Sequence, residues 1–213
     1  MANLNAPFGL RPVRSVNAAP WNGECVTYFI PQADTNAYFI GDTVISAATS
    51  DLVTGMSSVT LFGARNAAST TGAPRGVIVG VGTRGGTTGF AAPLMADANA
   101  LSTISIPATK TQDYFVQVCD DPHTIFEAQA DTIASTALNK NCPLFVATAP
   151  SVPIFNSASY AQGSAAAVTQ ALPLKIVGAP YRTDNDLTSP GTFAKVYVMF
   201  NQHELGGSNT LGV

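Results

Sequence analysis

The sequence contains few charged side chains. Lysine occurs 4 times and glutamate 3 times in 213 residues, and Asp, Glu, Lys and Arg together make up 11% of the chain, against roughly 25% in an ordinary soluble domain. Helix-breaking residues are frequent, with 14 prolines and 18 glycines, so a long helical bundle or a coiled coil is excluded. The hydrophobic fraction of 46% is high enough to build a packed core, and this excludes a disordered chain.

Long apolar runs and an excess of positive charge are also missing. No run approaches the roughly 18 apolar residues of a membrane-spanning helix, and residues 1–7 lack the basic and apolar regions of a signal peptide. The net charge of −3 argues against nucleic-acid binding, which requires a basic face. We therefore expect neither a membrane nor a nucleic acid as a partner.

Patterns for nucleophilic catalysis are weak. The three cysteines are widely spaced with no C-x-x-C, which is typical of buried, reduced thiols. A dyad of Cys119 with His123, or of Cys25 with His203, would form only if folding brought the pair together, and no G-x-S-x-G motif is present. The sequence therefore gives no positive indication of an enzyme.

Metal and nucleotide sites are indicated just as weakly. Residues 120–123 (DDPH) are more typical of a turn with Asp caps than of a metal site, and residues 184–186 (DND) lack the glycine and distal glutamate of a calcium loop. Residues 80–85 (GVGTRG) match G-x-G-x-x-G, but the glycines and proline that follow cannot form the helix of a dinucleotide site. We expect no cofactor and no metal.

Low surface charge has one further implication. A free monomer normally carries mixed charge over its exterior for solubility, and this chain has little. Apolar surface that charge does not mask tends to be buried between subunits. The composition favours a protein whose surface is covered by partners, including copies of itself.

Short strand-like runs make up most of the chain after residue 23. The runs are rich in β-branched and aromatic residues and are separated by turn residues: Val26–Ile30, Ala37–Ile40, Thr43–Ser46, Val59–Phe62, Gly76–Val81, Thr103–Ile106, Tyr114–Cys119, Thr124–Ala128, Leu144–Thr148, Leu174–Val177 and Ala194–Phe200. Roughly ten short strands predict an all-β fold, either a β-sandwich of jelly-roll type or a tulip-like barrel. Little helix is expected.

Three local features refine this prediction. The turn residues at 120–123 predict a hairpin between Tyr114–Cys119 and Thr124–Ala128. Asp131–Asn139 is the only plausible helix, with its N-cap at Asp131 or Thr132. Loop-rich insertions are expected around residues 83–103 and 149–172, within a β-rich domain that covers residues 24–213.

The first 23 residues differ from the rest. They contain no acid, three prolines, and the arginines Arg11 and Arg14, so a helix does not form easily. Apolar side chains at Phe8, Leu10 and Trp21 provide anchors. Two interpretations stay open: an extended arm that docks on a neighbouring subunit, or an edge strand of the chain's own domain.

Several short patches resemble one family. They are Ala6–Arg14 (APFGLRPVR), Gly41–Val44 (GDTV) after an aromatic residue, Arg75–Val81 (RGVIVGV), Tyr114–Pro122 (YFVQVCDDP), and Val196–Asn201 with His203. In this order they resemble the decoration, or cement, proteins of tailed-bacteriophage heads. The likeness touches most of the chain, but each patch by itself is weakly specific.

The resemblance implies a non-enzymatic β-rich protein, commonly a homotrimer, on the outer surface of the virion capsid and made in the host bacterial cytoplasm. Its partners would be the major capsid protein and copies of itself. Residues 1–23 are then expected to form an extended arm that lies across a neighbouring subunit, with Phe8 and Leu10 in an apolar groove of that neighbour and the two arginines facing its carboxylates. The residues expected to bind the partner are Pro7, Phe8, Leu10, Arg11, Arg14 and Trp21. Some small decoration proteins are close to half this length, so the β topology stays open between the two forms above.

Two other functions remain as alternatives. A tail-tube or head–tail connector component would also be β-rich and non-enzymatic, but it would form a ring. A carbohydrate-binding β-sandwich or depolymerase fragment would require a solvent-facing tryptophan and clustered carboxylates, and Trp21, the only tryptophan, lies in the predicted arm. A major capsid protein is not expected, because no pattern for a long spine helix is present.

Overall fold

The computed structural model describes residues 3–84, 93–95, 105–148, 156–188 and 191–206. These residues form strands β1 (Arg11–Ser15), β2 (Val26–Ile30), β3 (Tyr38–Phe39), β4 (Thr43–Ser50), β5 (Ser57–Leu61), β6 (Ala67–Ser69), β7 (Gly76–Arg84), β8 (Pro93–Met95), β9 (Ser105–Ile106), β10 (Tyr114–Cys119), β11 (Thr124–Gln129), β12 (Thr132–Ile133), β13 (Asn141–Cys142), β14 (Leu144–Val146), β15 (Tyr160–Ala161), β16 (Leu174–Gly178), β17 (Gly191–Thr192) and β18 (Lys195–Phe200). Two short 3-10 helices, Ser135–Ala137 and Gly163–Ala165, are the only helices within these ranges. The prediction of an all-β fold is confirmed.

The barrel is a ring of five strands in the order β10-β2-β5-β4-β7. It closes because β10 pairs with β2 along one edge and with β7 along the other. The pair β2–β5 is parallel and the other pairs are antiparallel. Strand β8 pairs with the C-terminal part of β7, beyond the residues that pair with β4. Closure leaves these five strands without the long free edges that promote aggregation.

A second sheet is open and antiparallel, in the order β1-β11-β18-β16-β13. Both sheets contribute to one continuous core, which contains Ile30 and Val116 from the barrel and Phe126 and Val198 from the open sheet. The described part of the chain is therefore one packed unit. Three smaller pairings, β12-β17, β15-β14-β6 and β3-β9, lie outside the two main sheets.

The predicted hairpin between β10 and β11 is wrong. The turn at residues 120–123 is present, and the amide of Thr124 donates to the carbonyl of Asp121 at 3.2 Å, but the two strands belong to different sheets. Both edges of β10 are occupied by β2 and β7, and both edges of β11 by β1 and β18. The turn therefore carries the chain from the barrel to the open sheet.

The helix predicted at Asp131–Asn139 is also wrong. The segment forms β12 and then a single 3-10 turn, and no side chain caps that turn. The Asp131 carboxylate instead accepts hydrogen bonds from the amides of Thr132 and Ser164, at 2.7 and 3.0 Å. This tertiary contact, together with the pairing of β12 with β17, overrides a weak helix propensity.

The predicted loop insertions fall partly outside the described residues. Residues 85–92, 96–104 and 149–155 are not covered, so the expectation is not tested there. Within 156–172 the chain forms β15 and the 3-10 helix at Gly163–Ala165. Residues 80–84, the described part of the G-x-G-x-x-G match, continue strand β7, so no helix begins there.

Residues 3–15 pack on their own domain. Strand β1 pairs antiparallel with β11 and forms one edge of the open sheet. Ahead of it, the Asn3 carboxamide donates to the carbonyls of Asp186 and Thr192, and Gln129 bonds the backbone of Leu4 and Ala6. The structure thus gives β1 the second of the two interpretations, an edge strand of the chain's own domain.

A close backbone crossing fixes this segment over the barrel. Gly9 and Gly41 have φ angles of +74° and +91°, which L side chains rarely adopt. The Leu10 amide donates to the Gly41 carbonyl at 3.0 Å, and a Cβ atom on Gly9 would lie 2.5 Å from that carbonyl oxygen. The glycines of the APFGLRPVR and GDTV patches therefore meet each other.

Gly9→Ala is expected to lower the free energy of unfolding by about 2–3 kcal/mol, the sum of positive-φ strain and a clash with Gly41 backbone. The matched control is Gly55→Ala, because Gly55 has a φ of +73° and nothing within 4 Å of the added Cβ. Urea unfolding of both variants separates strain from clash. Equal losses in the two variants would contradict the crossing.

Candidate partner-binding groove

Four of the six predicted partner-binding residues line one groove. Phe8, Leu10, Arg11 and Trp21 enclose, with residues of the barrel, a volume of about 160 Å³. The other lining residues are Pro12, Ile40, Gly41, Ile78, Val79 and Asn156. Pro7 and Arg14 do not line it. The groove is mostly apolar, in keeping with its side chains.

Local structure explains how residues so far apart in the N-terminal segment meet. After β1 the chain turns back, and the amide of Ser15 donates to the Ala19 carbonyl at 2.8 Å. The amide of Trp21 then donates to the Val13 carbonyl at 3.0 Å, which places the indole beside β1. This returning segment also covers part of the outer edge of β1, an edge that would otherwise attract other strands.

The lining side chains differ in what they can offer a partner. Leu10 is only 2% exposed and belongs to the chain's own core, as does Ile78. The prediction that Leu10 inserts into a neighbour's groove is therefore corrected: it forms the floor of a groove on its own chain. Phe8 and Trp21 are half-buried and keep apolar surface for contact.

Among the described residues, the two arginines contact aromatic rings and no carboxylate. Arg11 stacks on the Phe8 ring at 5.1 Å and Arg14 on the Tyr197 ring at 5.8 Å. Glu127 lies opposite Arg11 in the β1–β11 register, but its carboxylate pairs with Arg182 at 2.5 Å. Within the described ranges no carboxylate lies within 4 Å of either Arg11 or Arg14. Stacking on an aromatic face leaves the guanidinium charge unneutralised.

The residues that the barrel contributes to the groove were not predicted from the sequence. Ile40, Ile78 and Val79 come from strand-like runs, where an apolar residue is far more often core than contact surface. Their position beside Phe8 depends on the Gly9–Gly41 crossing, which joins segments about 30 residues apart. No local signal in the sequence reports such a crossing.

Three of the cysteine and histidine side chains considered for a dyad, Cys119, His123 and His203, make other contacts in the structure. The Cys119 thiol donates to Thr124 Oγ1 at 3.7 Å, and burial raises its pKa to about 11. His203 packs on Phe200 with its Nδ1 accepting from the Leu205 amide, and burial lowers its pKa. His123 is exposed and lies 3.4 Å from Asp121. Thiols that stay protonated at neutral pH are poor nucleophiles.

The Arg75 and Asp120 side chains of the resemblance patches form a structural network. Tyr28 Oη donates to Asp120 Oδ2 at 2.6 Å, and Arg75 Nε donates to Tyr28 Oη at 2.8 Å. Burial and the bond to Asp120 raise the pKa of Tyr28 to about 12, so the hydroxyl remains a donor. Arg75 also approaches Glu204 at 3.6 Å. The network ties the 120–123 turn and the C-terminal segment to the barrel.

Comparisons with family models, with curated proteins and with solved structures find no significant match. Within the described residues no group of three or more His, Cys, Asp or Glu side chains is placed to hold a metal. In the same residues, no helix has both the length and the apolar character needed to cross a membrane. The geometry of the groove is therefore the basis for assigning a function.

Proposed function

We propose that this chain is a structural protein of the tailed-bacteriophage virion, which binds the outer surface of the assembled capsid and cements neighbouring copies of the major capsid protein. The observation that carries the proposal is the groove beside β1. It combines apolar walls from Phe8 and Trp21 with the guanidinium of Arg11, which has no carboxylate within 4 Å among the described residues. Buried aromatic and arginine side chains are the commonest anchors of protein interfaces.

The docking surface in this proposal belongs to the folded domain. A segment of the capsid protein would place an apolar side chain between Phe8 and Trp21, with carboxylates facing Arg11 and Arg14. The Gly9–Gly41 crossing and the β1–β11 pairing hold the groove in place before binding. A preformed surface loses less conformational entropy on association than a free arm. The sparse surface charge of the chain also suits a covered protein.

The test uses heads assembled without this protein. Added protein is expected to co-sediment with them, to saturate at a fixed ratio to the capsid subunit, and to raise their disruption temperature, because a ligand of the assembled lattice stabilises it by mass action. Phe8→Ala is expected to weaken binding at least tenfold, since buried aromatics dominate interface energies. Arg14→Ala should weaken it less and mainly at low salt.

The matched control is Tyr181→Ala, which removes an aromatic ring that is fully exposed and lies outside the groove. It should bind as the unmodified protein does. Equal binding by the Phe8 and Tyr181 variants would contradict the groove as the docking surface. The unmodified protein could instead fail to bind heads at any added concentration and be recovered in purified tails. That result would favour the tail-tube or connector alternative.

A further inference from the structure

A second groove shares Trp21 with the first, and its chemistry is different. It encloses about 220 Å³ and is lined mostly by polar side chains. The lining residues are Ser15, Asn17, Ala19, Pro20, Trp21, Asn22, Glu24, Asp121 and Thr124. Neither lysine nor arginine is among them, so an anionic ligand such as a phosphate finds no counter-charge.

The donors of this groove are oriented by the backbone. Asn17 Oδ1 accepts from the Ala19 amide and Asn22 Oδ1 accepts from the Glu24 amide, each at 3.1 Å. These Asx turns use the oxygen of each carboxamide and fix its direction. The two NH₂ groups have no acceptor in the contacts of the described residues, and they remain available as hydrogen-bond donors.

The acceptors are oriented in the same way. The Asp121 carboxylate accepts from the His123 amide at Oδ1 and from Thr124 Oγ1 at Oδ2, both at 3.0 Å. The His123 ring also lies 3.4 Å from Oδ1, so Oδ2 is the oxygen that keeps a further lone pair for a ligand. The exposed Glu24 side chain supplies a second carboxylate at the rim. The groove thus pairs fixed amide donors with one fixed carboxylate acceptor, Asp121, and with the exposed Glu24 carboxylate at its rim.

Trp21 gives the groove its apolar surface. The indole Nε1 donates to the Glu24 carbonyl at 3.3 Å, so its polar atom is used within the chain and the ring contributes carbon surface. A ligand that fits must therefore offer an apolar face to the indole and hydroxyl groups to the surrounding amides and carboxylates. A sugar ring has this combination, with C–H groups on its faces and hydroxyls around its edge.

We propose that this groove binds a neutral carbohydrate, one sugar ring of an oligosaccharide resting against Trp21 with its hydroxyls bonded to Asn17, Asn22 and Asp121. A volume of about 220 Å³ suits a single ring and not a whole chain. This inference stands apart from the proposed function, because the isolated protein is expected to bind sugar with no capsid present.

Trp21 is the only tryptophan in the chain, and it lines both grooves. Its intrinsic fluorescence therefore detects binding, and point variants in the polar groove show which groove is occupied. The probes are linear tetrasaccharides of glucose, mannose, galactose and N-acetylglucosamine, titrated to tens of millimolar, with inorganic phosphate as a non-sugar control. We expect a saturable change with at least one tetrasaccharide and none with phosphate. No change with any of the four sugars would overturn the proposal.

Point variants locate the site. Asn17→Asp and Asn22→Asp keep the acceptor oxygen of each Asx turn and remove the amide donor, so the local fold is retained. Each is expected to weaken sugar binding at least tenfold. The matched control, Asn5→Asp, makes the same change at an exposed position outside the groove and should leave binding unaltered. Unchanged affinity in both groove variants, with an unshifted melting temperature, would overturn the assignment.

Discussion

A chain lacking residues 1–14 is expected not to fold. Removal takes away most of β1 and exposes the hydrogen-bonding edge of β11. It also deletes the Leu10 side chain, which is 2% exposed and lies in the main core. The Asn3 bonds to Asp186 and Thr192 are lost as well. These losses act together on a domain whose net stability is only roughly 5–15 kcal/mol.

Circular dichroism and thermal melting of a graded series check this result. Leu10→Ala should cost about 2–5 kcal/mol, as a large-to-small change in a core does. Leu4→Ala, at an 80% exposed position in the same segment, should leave the melting temperature unchanged. A truncated chain that melts cooperatively at the temperature of the full chain would restore the interpretation of residues 1–23 as a separate arm.

The second large effect concerns the ion pair between Asp42 and Arg65. Asp42 is fully buried, and its carboxylate accepts two bonds from Arg65, at 2.5 and 3.1 Å, and one from the Phe39 amide at 2.9 Å. Arg65 also donates to the carbonyls of Ala37 and Ala147. Asp42→Asn leaves the half-buried Arg65 guanidinium, whose side chain is 19% exposed, without its counter-ion. Breaking a buried pair in this way typically costs about 3–5 kcal/mol.

The expected loss is a drop of roughly 10 °C in melting temperature, since about 1 kcal/mol shifts a domain of this size by roughly 2–4 °C. The matched control is Asp184→Asn. Asp184 pairs with Lys195 and Arg182 but is 57% exposed, and exposed pairs add little to stability. Similar melting temperatures for the two variants would show that the Asp42–Arg65 pair is dispensable.

Strand positions could be predicted from the sequence because strand-forming residues and turn residues alternate along it. Val26–Ile30 and Tyr114–Cys119 were predicted to the residue, and β7 and β18 begin within one residue of their predicted starts. Strand pairing could not be predicted in the same way. Whether Tyr114–Cys119 pairs with the next strand depends on which edges distant strands already occupy, and that is a property of the whole fold.

Only part of the candidate site could be predicted, because local sequence shows apolar side chains but not their long-range contacts. Apolar residues between prolines identified Phe8 and Trp21 as a surface, and both line the groove. The burial of Leu10 could not be seen, because it depends on Gly41. The polar groove could not be predicted either, because it combines Asn17 and Asn22 with Asp121, about 100 residues away. An Asp-Asp-Pro turn gives no local sign of a tryptophan across from it.

The strand order determines how long β1 waits for its partner strand while the protein is being synthesised. The partner of β1 is β11, and about 110 residues separate them. Strand β2 pairs with β10, so the barrel closes only after β10 has been synthesised. At translation rates of roughly 5–20 residues per second, β1 stays unpaired for about 5–20 s after it is synthesised. Its proline residue and two arginines, Arg11 and Arg14, keep that nascent strand from associating with others until β11 arrives.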